Sequence, residues 1–164
     1  MSVLLRVDRV RPVQIDAILP RIGAALKDIL GLKREPRLVA TKMYRLDDIL
    51  PGTYCINPGA TNIGIRVDGE VAAVSVFSRE GIDHLVISPD CWRTNLESAL
   101  AAAVAIALAE HSETEISDSA LAYTTTFSQS ADSFAESVRV DKTFDNINEA
   151  AEAFFAGLRV GSTQ

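Results

Sequence analysis

An Asp-Gly pair at positions 68 and 69 is the feature that most restricts how this chain can fold. It separates a segment in which Ile63, Ile65 and Val67 alternate with other residues from a second apolar run over residues 70–77. An Asp-Gly pair between two such runs is typical of a type I′ hairpin turn, whose two central residues both need positive φ. The register implied by this turn pairs Val67 with Glu70, Ile65 with Ala72 and Ile63 with Val74. The chain is therefore predicted to contain an antiparallel sheet built around this hairpin.

Further strands are indicated by short apolar runs between turn residues. They are predicted at residues 3–10, 38–46, 53–56 and 82–87, with an edge strand at 114–117. Residues 122–127 fit either a strand or a loop. Most of these segments are joined by tight turns rather than by long crossovers, and strands joined in this way form a largely antiparallel sheet.

The first helix is predicted from apolar residues that recur every three or four positions. It begins near Val13 and ends at Gly31, a residue suited to the left-handed conformation that closes many helices. Its apolar stripe consists of Ile15, Ile18, Leu19, Ile22, Leu26, Ile29 and Leu30. Because a proline inside a helix removes a backbone hydrogen bond, Pro20 is expected to kink this helix or to mark a second start.

Three more helices follow from their capping signals. Thr94 and Glu97 are spaced as a capping box at the start of an alanine-rich helix that ends at residues 111–112. Its predicted buried stripe is Leu96, Leu100, Ala103, Val104, Ala107 and Leu108. Ser130 is predicted to cap a short helix that reaches Val138, and Asp145 to cap a last helix. The inward residues of that last helix are predicted to be Ile147, Ala150, Ala151, Phe154 and Leu158.

These elements predict one α+β domain over residues 1–164, with an antiparallel sheet of about five or six strands covered by two or three helices. The composition allows it: 48% of the residues are hydrophobic and 23% are charged, which is close to the globular average. A chain of 164 residues can bury a core without disulfides or metals.

The N-terminus does not resemble a signal peptide, because charged residues interrupt its apolar run directly after residue 5. The most apolar stretch, residues 96–109, is shorter than the roughly 20 residues that cross a bilayer. We therefore expect a cytoplasmic protein without a membrane partner, in which Cys55 and Cys91 are reduced thiols.

No motif of a known enzyme class is present, so we predict a protein without catalytic residues, cofactor or metal site. The two histidines, His84 and His111, lack metal-ligand spacing and are interpreted as structural residues. Cys91 and His84 are the best pair for a thiol nucleophile and its base, but a cysteine in this context is more often a packing residue. We expect both side chains to be buried or far from each other. Trp92, the single tryptophan, is interpreted as a core lid.

Charge is distributed unevenly along the chain, although the net charge is −6. Residues 1–45 carry a net charge of +6, residues 46–109 of −5 and residues 110–164 of −7. The acidic excess argues against nucleic acid as a partner and favours a basic protein. The predicted partner-binding residues are the clustered acids Glu110, Glu113, Glu115, Asp118, Asp132 and Glu136.

In its general properties, the chain resembles the immunity proteins of bacterial polymorphic-toxin and contact-dependent inhibition systems. The resemblance consists of a small acidic α+β chain without a catalytic motif, with the segments TEISDSALAYTT and FDNINEAAEAFF near its end. It implies a cytoplasmic protein, a monomer or homodimer, that binds and blocks one cognate toxin. The alternatives are an acidic, dimeric α/β secretion chaperone, which would bind an unfolded effector segment, and a small enzyme with an unrecognised site.

Overall fold

The computed structural model describes residues 4–78, 83–89 and 94–162 of the chain. Within these residues the fold is α+β, as predicted, with an eight-stranded sheet in which every neighbouring pair is antiparallel. The strands are β1 (Leu5–Val7), β2 (Val13–Gln14), β3 (Leu38–Lys42), β4 (Arg45–Ile49), β5 (Cys55–Ile56), β6 (Asn62–Val67), β7 (Ala73–Ser78), β8 (Leu85–Pro89), β9 (Glu115–Ser117) and β10 (Ser128–Ser130). The order in the large sheet is β10-β9-β1-β8-β7-β6-β3-β4, and β2 pairs separately with β5.

Within the same described residues, four helices accompany the sheet: α1 (Ile15–Leu30), α2 (Asn95–Ser112), α3 (Ala131–Val138) and α4 (Ile147–Ser162). They cover one face of the sheet, because inward residues such as Leu5 and Val7 are buried in the same core as the residues of α2, whereas Arg6 between them is exposed. No described helix combines the length and the hydropathy needed to cross a membrane.

The predicted hairpin is present as β6 and β7, but its predicted register is wrong by two residues. Ile65 lies opposite Val74 rather than Ala72, and the amide of Val67 donates to the carbonyl of Ala72. The turn is not type I′, because Gly69 has positive φ (81°) and Asp68 does not. A shift of two residues leaves every side chain on its predicted face, since successive strand residues alternate between faces.

The strand predicted at residues 38–46 is in fact two strands. Tyr44 adopts a left-handed conformation (φ 62°), and the chain reverses there between β3 and β4. The predicted edge strand, β9, lies between β1 and β10 and is therefore not at an edge. The division into β3 and β4, together with the short β10, raises the strand count above the predicted five or six.

Helix α1 forms around the predicted apolar stripe, six of whose seven residues are buried. It continues through Pro20 as a single helix. Its N-terminus has no side-chain cap, and the amides of Ile15 and Asp16 donate instead to the carbonyls of Tyr54 and Gly52. At the other end, Gly31 closes the helix in the left-handed conformation (φ 64°), as predicted.

Helix α2 lies at the centre of the fold. The Thr94 hydroxyl accepts from the Glu97 amide at 3.2 Å, which confirms Thr94 as the cap, whereas Oε1 of Glu97 accepts from the amide of Ala73 on β7 at 3.4 Å. The prediction of a single buried stripe was too narrow, because 14 of the 18 residues are buried. The helix contacts four strands of the sheet as well as α1, α3 and α4. Helices that are apolar all round are found in such enclosed positions.

The two later helices begin at different kinds of cap. Ser130 accepts from the Ser133 amide at the start of α3, as predicted. For α4, the predicted cap Asp145 is wrong: the Asn146 side chain accepts from the amides of Asn148 and Glu149 at 2.9 and 3.1 Å. Asp145 instead pairs with Lys33.

The enclosure of α2 predicts that it does not tolerate larger side chains. Ala103 is fully buried, so Ala103→Leu should lower the free energy of unfolding by about 1–3 kcal/mol because the added atoms have no space. Ala156→Leu places the same change on the exposed side of α4 and should shift the free energy by less than about 0.5 kcal/mol. Urea denaturation of both variants measures the difference, and equal stabilities would contradict the enclosed position of α2.

Candidate functional site

A groove of about 440 Å³ lies between α1, the last turns of α2, and α3. Three of the six acids predicted to bind a partner line it, and all three are exposed: Glu110, Asp132 and Glu136. Glu110 is near the end of α2, whereas Asp132 and Glu136 are four residues apart on α3 and so share one helix face. The structure therefore brings half of the predicted acidic set together in one concave surface.

One further acid and two arginines, none of which was predicted to belong to a binding surface, complete the charged lining. Arg139, directly after α3, forms a two-pronged pair with Asp28 on α1, with 2.8 Å between Nη2 and Oδ2 and 3.1 Å between Nε and Oδ1. The hydrogen bond to Asp28 raises the pKa of Arg139 above its usual value. On α1, Arg21 lies with Nη2 3.7 Å from Oε1 of Glu110. Four carboxylates and two guanidinium groups give the groove a formal charge of −2.

The sequence gives no indication that Asp28 and Arg139 meet, since they are 111 positions apart. The one available hint was the opposite charge of the two ends of the chain. Some of these opposite charges neutralise each other within the protein, because Arg11 pairs with Glu113 and Arg21 with Glu110. The acidic C-terminal part of the chain is therefore less negative at its surface than its sequence indicates.

Two of the remaining predicted acids are exposed but lie outside the lining of the groove. Glu113 follows α2, and its Oε2 is 3.1 Å from Nη2 of Arg11. Glu115 on β9 accepts from the Ser128 hydroxyl at 2.9 Å. Both are available at the surface, each with a partner from its own chain.

The expectation that Asp118 contributes to an exposed acidic surface is wrong, because its side chain is buried (1% exposed). Its carboxylate organises the loop after β9. Oδ1 accepts from the amide of Ala122 at 3.1 Å, and Oδ2 accepts from the amides of Tyr123 and Thr124 at 2.9 and 3.0 Å. A buried carboxylate needs such donors, since burying a charge without them is costly. Asp118 is thus a structural residue. Residues 122–127, which fitted either a strand or a loop, form a loop.

Tyr123 inserts from this loop into the core and donates its hydroxyl to the carbonyl of Ser98 on α2 at 3.1 Å. Its ring also contacts Phe134 and Phe154, with centroids 5.9 and 6.5 Å away. Burial, and to a smaller extent the Asp118 carboxylate, raise the pKa of Tyr123 well above its ordinary value of 10.0. The loop is therefore fixed to α2 and to both later helices.

The two histidines lie in different elements, His84 just before β8 and His111 in α2, and have different neighbours. His84 is mostly buried, with Nδ1 3.9 Å from Oδ1 of Asp8. His111 in the last turn of α2 lies between Arg21 and the carbonyl of Pro12. The predictions for Cys91 and Trp92 fall outside the described residues. Among the residues that are described, no cluster of His, Cys, Asp and Glu is arranged to hold a metal ion.

Comparison with family models, with curated proteins and with solved structures finds no match for this chain. The resemblance to immunity proteins therefore stays a prediction.

Asp118→Asn tests the structural role of this carboxylate. Three backbone amides donate to the two carboxylate oxygens of Asp118, whereas an asparagine side chain has only one acceptor oxygen. We therefore expect a loss of about 1–3 kcal/mol in the free energy of unfolding. Asp141→Asn, an exposed position, is the matched control and should change it by less than about 0.5 kcal/mol. Chemical denaturation at neutral pH gives both values, and an unaffected Asp118→Asn would refute the role.

The raised pKa of Tyr123 predicts a loss of stability at alkaline pH. The unfolded chain ionises this tyrosine near pH 10, whereas the folded chain keeps the proton. Its contribution is therefore fully present below pH 10 and is lost as the pH rises above that value. In Tyr123→Phe, the free energy of unfolding should fall less steeply between about pH 9.5 and 11 than in the native protein. This difference in slope does not depend on how stable the variant is at neutral pH. Identical slopes for the two proteins would contradict this interpretation.

Proposed function

We propose that this protein is a non-catalytic binding module that recognises a basic protein through the groove between α1, α2 and α3. The proposal follows the immunity-type interpretation: the protein would bind and block one cationic toxin domain. The observation that supports it best is the convergence of Glu110, Asp132 and Glu136 on one exposed concave surface with a residual negative charge.

The arginines of the groove favour selective recognition over general attraction to positive charge. Arg139 is held by Asp28 through two hydrogen bonds, so its guanidinium group has a fixed position. A partner must therefore present its basic groups to Glu110, Asp132 and Glu136 and keep them away from Arg139. Like charges placed together cost free energy, and such contacts are a common source of specificity.

A negative groove also suits an inhibitor that has to act quickly. Complementary charge speeds the encounter of two proteins by between about tenfold and a thousandfold, and salt weakens the effect. An acidic inhibitor can cover the cationic surface with which a nuclease-type toxin would bind phosphates. The proposal therefore predicts that association is sensitive to salt while dissociation changes less.

The test uses the product of the neighbouring gene as the candidate partner. The triple variant Glu110→Gln, Asp132→Asn and Glu136→Gln should slow association by about tenfold at low salt and make it less dependent on ionic strength. The fold should be kept, because all three side chains are exposed and exposed ion pairs contribute little to stability. Stopped-flow or surface-based kinetics across a salt series gives the rates.

The control neutralises two acids in β4, at the opposite edge of the sheet from β9 and β10: Asp47→Asn with Asp48→Asn. At 0.1 M salt it should leave the association rate within about twofold of the native value, since charges beyond about 10 Å are then largely screened. Equal effects of the two variants would refute the groove as the binding surface. Binding only to an unfolded form of the partner would favour the chaperone alternative.

A further inference from the structure

His111 joins three segments of the protein at the edge of the groove. It lies in the last turn of α2, and its Nδ1 is 3.3 Å from Nη1 of Arg21 on α1. Its Nε2 is 3.4 Å from the carbonyl oxygen of Pro12, in the segment before β2. The ring therefore connects α2, α1 and the chain that precedes them.

The chemistry of these neighbours determines where the ring proton lies. A guanidinium group has donors and no acceptor, so Nδ1 of His111 must accept from Arg21. A carbonyl oxygen has only acceptor sites, so Nε2 must carry the hydrogen and donate it to Pro12. Both contacts can form together only when the imidazole is neutral and protonated at Nε2.

Proton uptake by His111 removes one of these two contacts. The second proton goes to Nδ1, where it faces the donor group of Arg21, and two positive charges then lie side by side. Other charged groups lie close to the ring along the chain: Glu110 precedes it on α2 and favours the new charge, whereas Glu113 after the helix is already paired with Arg11, which offsets its negative charge. The carbonyl end of α2 also favours a cation.

We propose that His111 is a proton-sensitive contact that holds Arg21 at the end of α2 only while the ring is neutral. Proton uptake releases Arg21 from the ring and adds one positive charge beside Glu110, which makes the groove less negative. Histidine is the side chain whose charge changes most readily in the physiological pH range. This contact deepens the proposed function, since it would regulate the same groove, but it can be tested on the free protein.

The first measurement is the imidazole ¹H–¹⁵N spectrum of the free protein across a pH series. At high pH His111 should be in the Nε2–H form, and the Arg21 side-chain signals should move with the same midpoint as the His111 ring. In His111→Gln, whose amide can accept from Arg21 and donate to Pro12 at any pH, the Arg21 signals should be independent of pH. His84→Gln, which changes the other histidine, should leave the Arg21 response intact.

The second measurement is binding of the basic partner on either side of the midpoint that the His111 ring shows in these spectra. One added charge beside the groove should weaken binding by about threefold on the acid side of that midpoint, and His111→Gln should abolish the difference. An Nδ1–H form at high pH, or Arg21 signals that do not follow the ring, would overturn the proposal even if the partner binds. If the Arg21 signals follow the His111 ring but the protein binds no basic partner, the contact between the two side chains is supported and only the proposed function is refuted.

Discussion

The enclosure of α2 is the constraint on which the rest of the structure depends. The helix lies between the sheet and the three other helices, and so it has hardly any surface that could face water. Its alanines allow neighbouring backbones to approach closely, and close packing is what makes such an interior stable. Because α1, α3 and α4 all pack against this one helix, their relative positions are set by it. The groove between α1, α2 and α3 is a direct result of that arrangement.

Ion pairs also join the two ends of the chain around the same helix. The N-terminal part is basic and the C-terminal part is acidic, and pairs such as Arg11 with Glu113 join residues about one hundred positions apart. Each exposed pair contributes little to stability. Together they offset part of the negative charge at the surface. The unequal charge along the sequence therefore has a role inside the folded protein.

The parts of the fold that could be predicted are those governed by local physical chemistry. The caps at Thr94, Ser130 and Gly31 and the stripe of α1 depend on neighbouring residues, and they were predicted correctly. The turn at Tyr44 could not be predicted, because a tyrosine gives no local signal for a left-handed conformation. The role of Asp118 could not be predicted either. Its carboxylate is buried and accepts hydrogen bonds from backbone amides, but in the sequence it is one acid among several neighbouring acids.

The groove also differs from a simple acidic patch in how firmly it is held. The pair between Asp28 and Arg139 ties α1 to the end of α3, and Tyr123 ties the loop before α3 to α2. Walls connected in this way should move little when a partner binds, so that little conformational entropy is lost on association. The least constrained wall is the one where Arg21 contacts His111 and Glu110, through longer contacts of 3.3 and 3.7 Å. If the groove adapts to a partner or to a proton, that is where the physical arrangement allows it to do so.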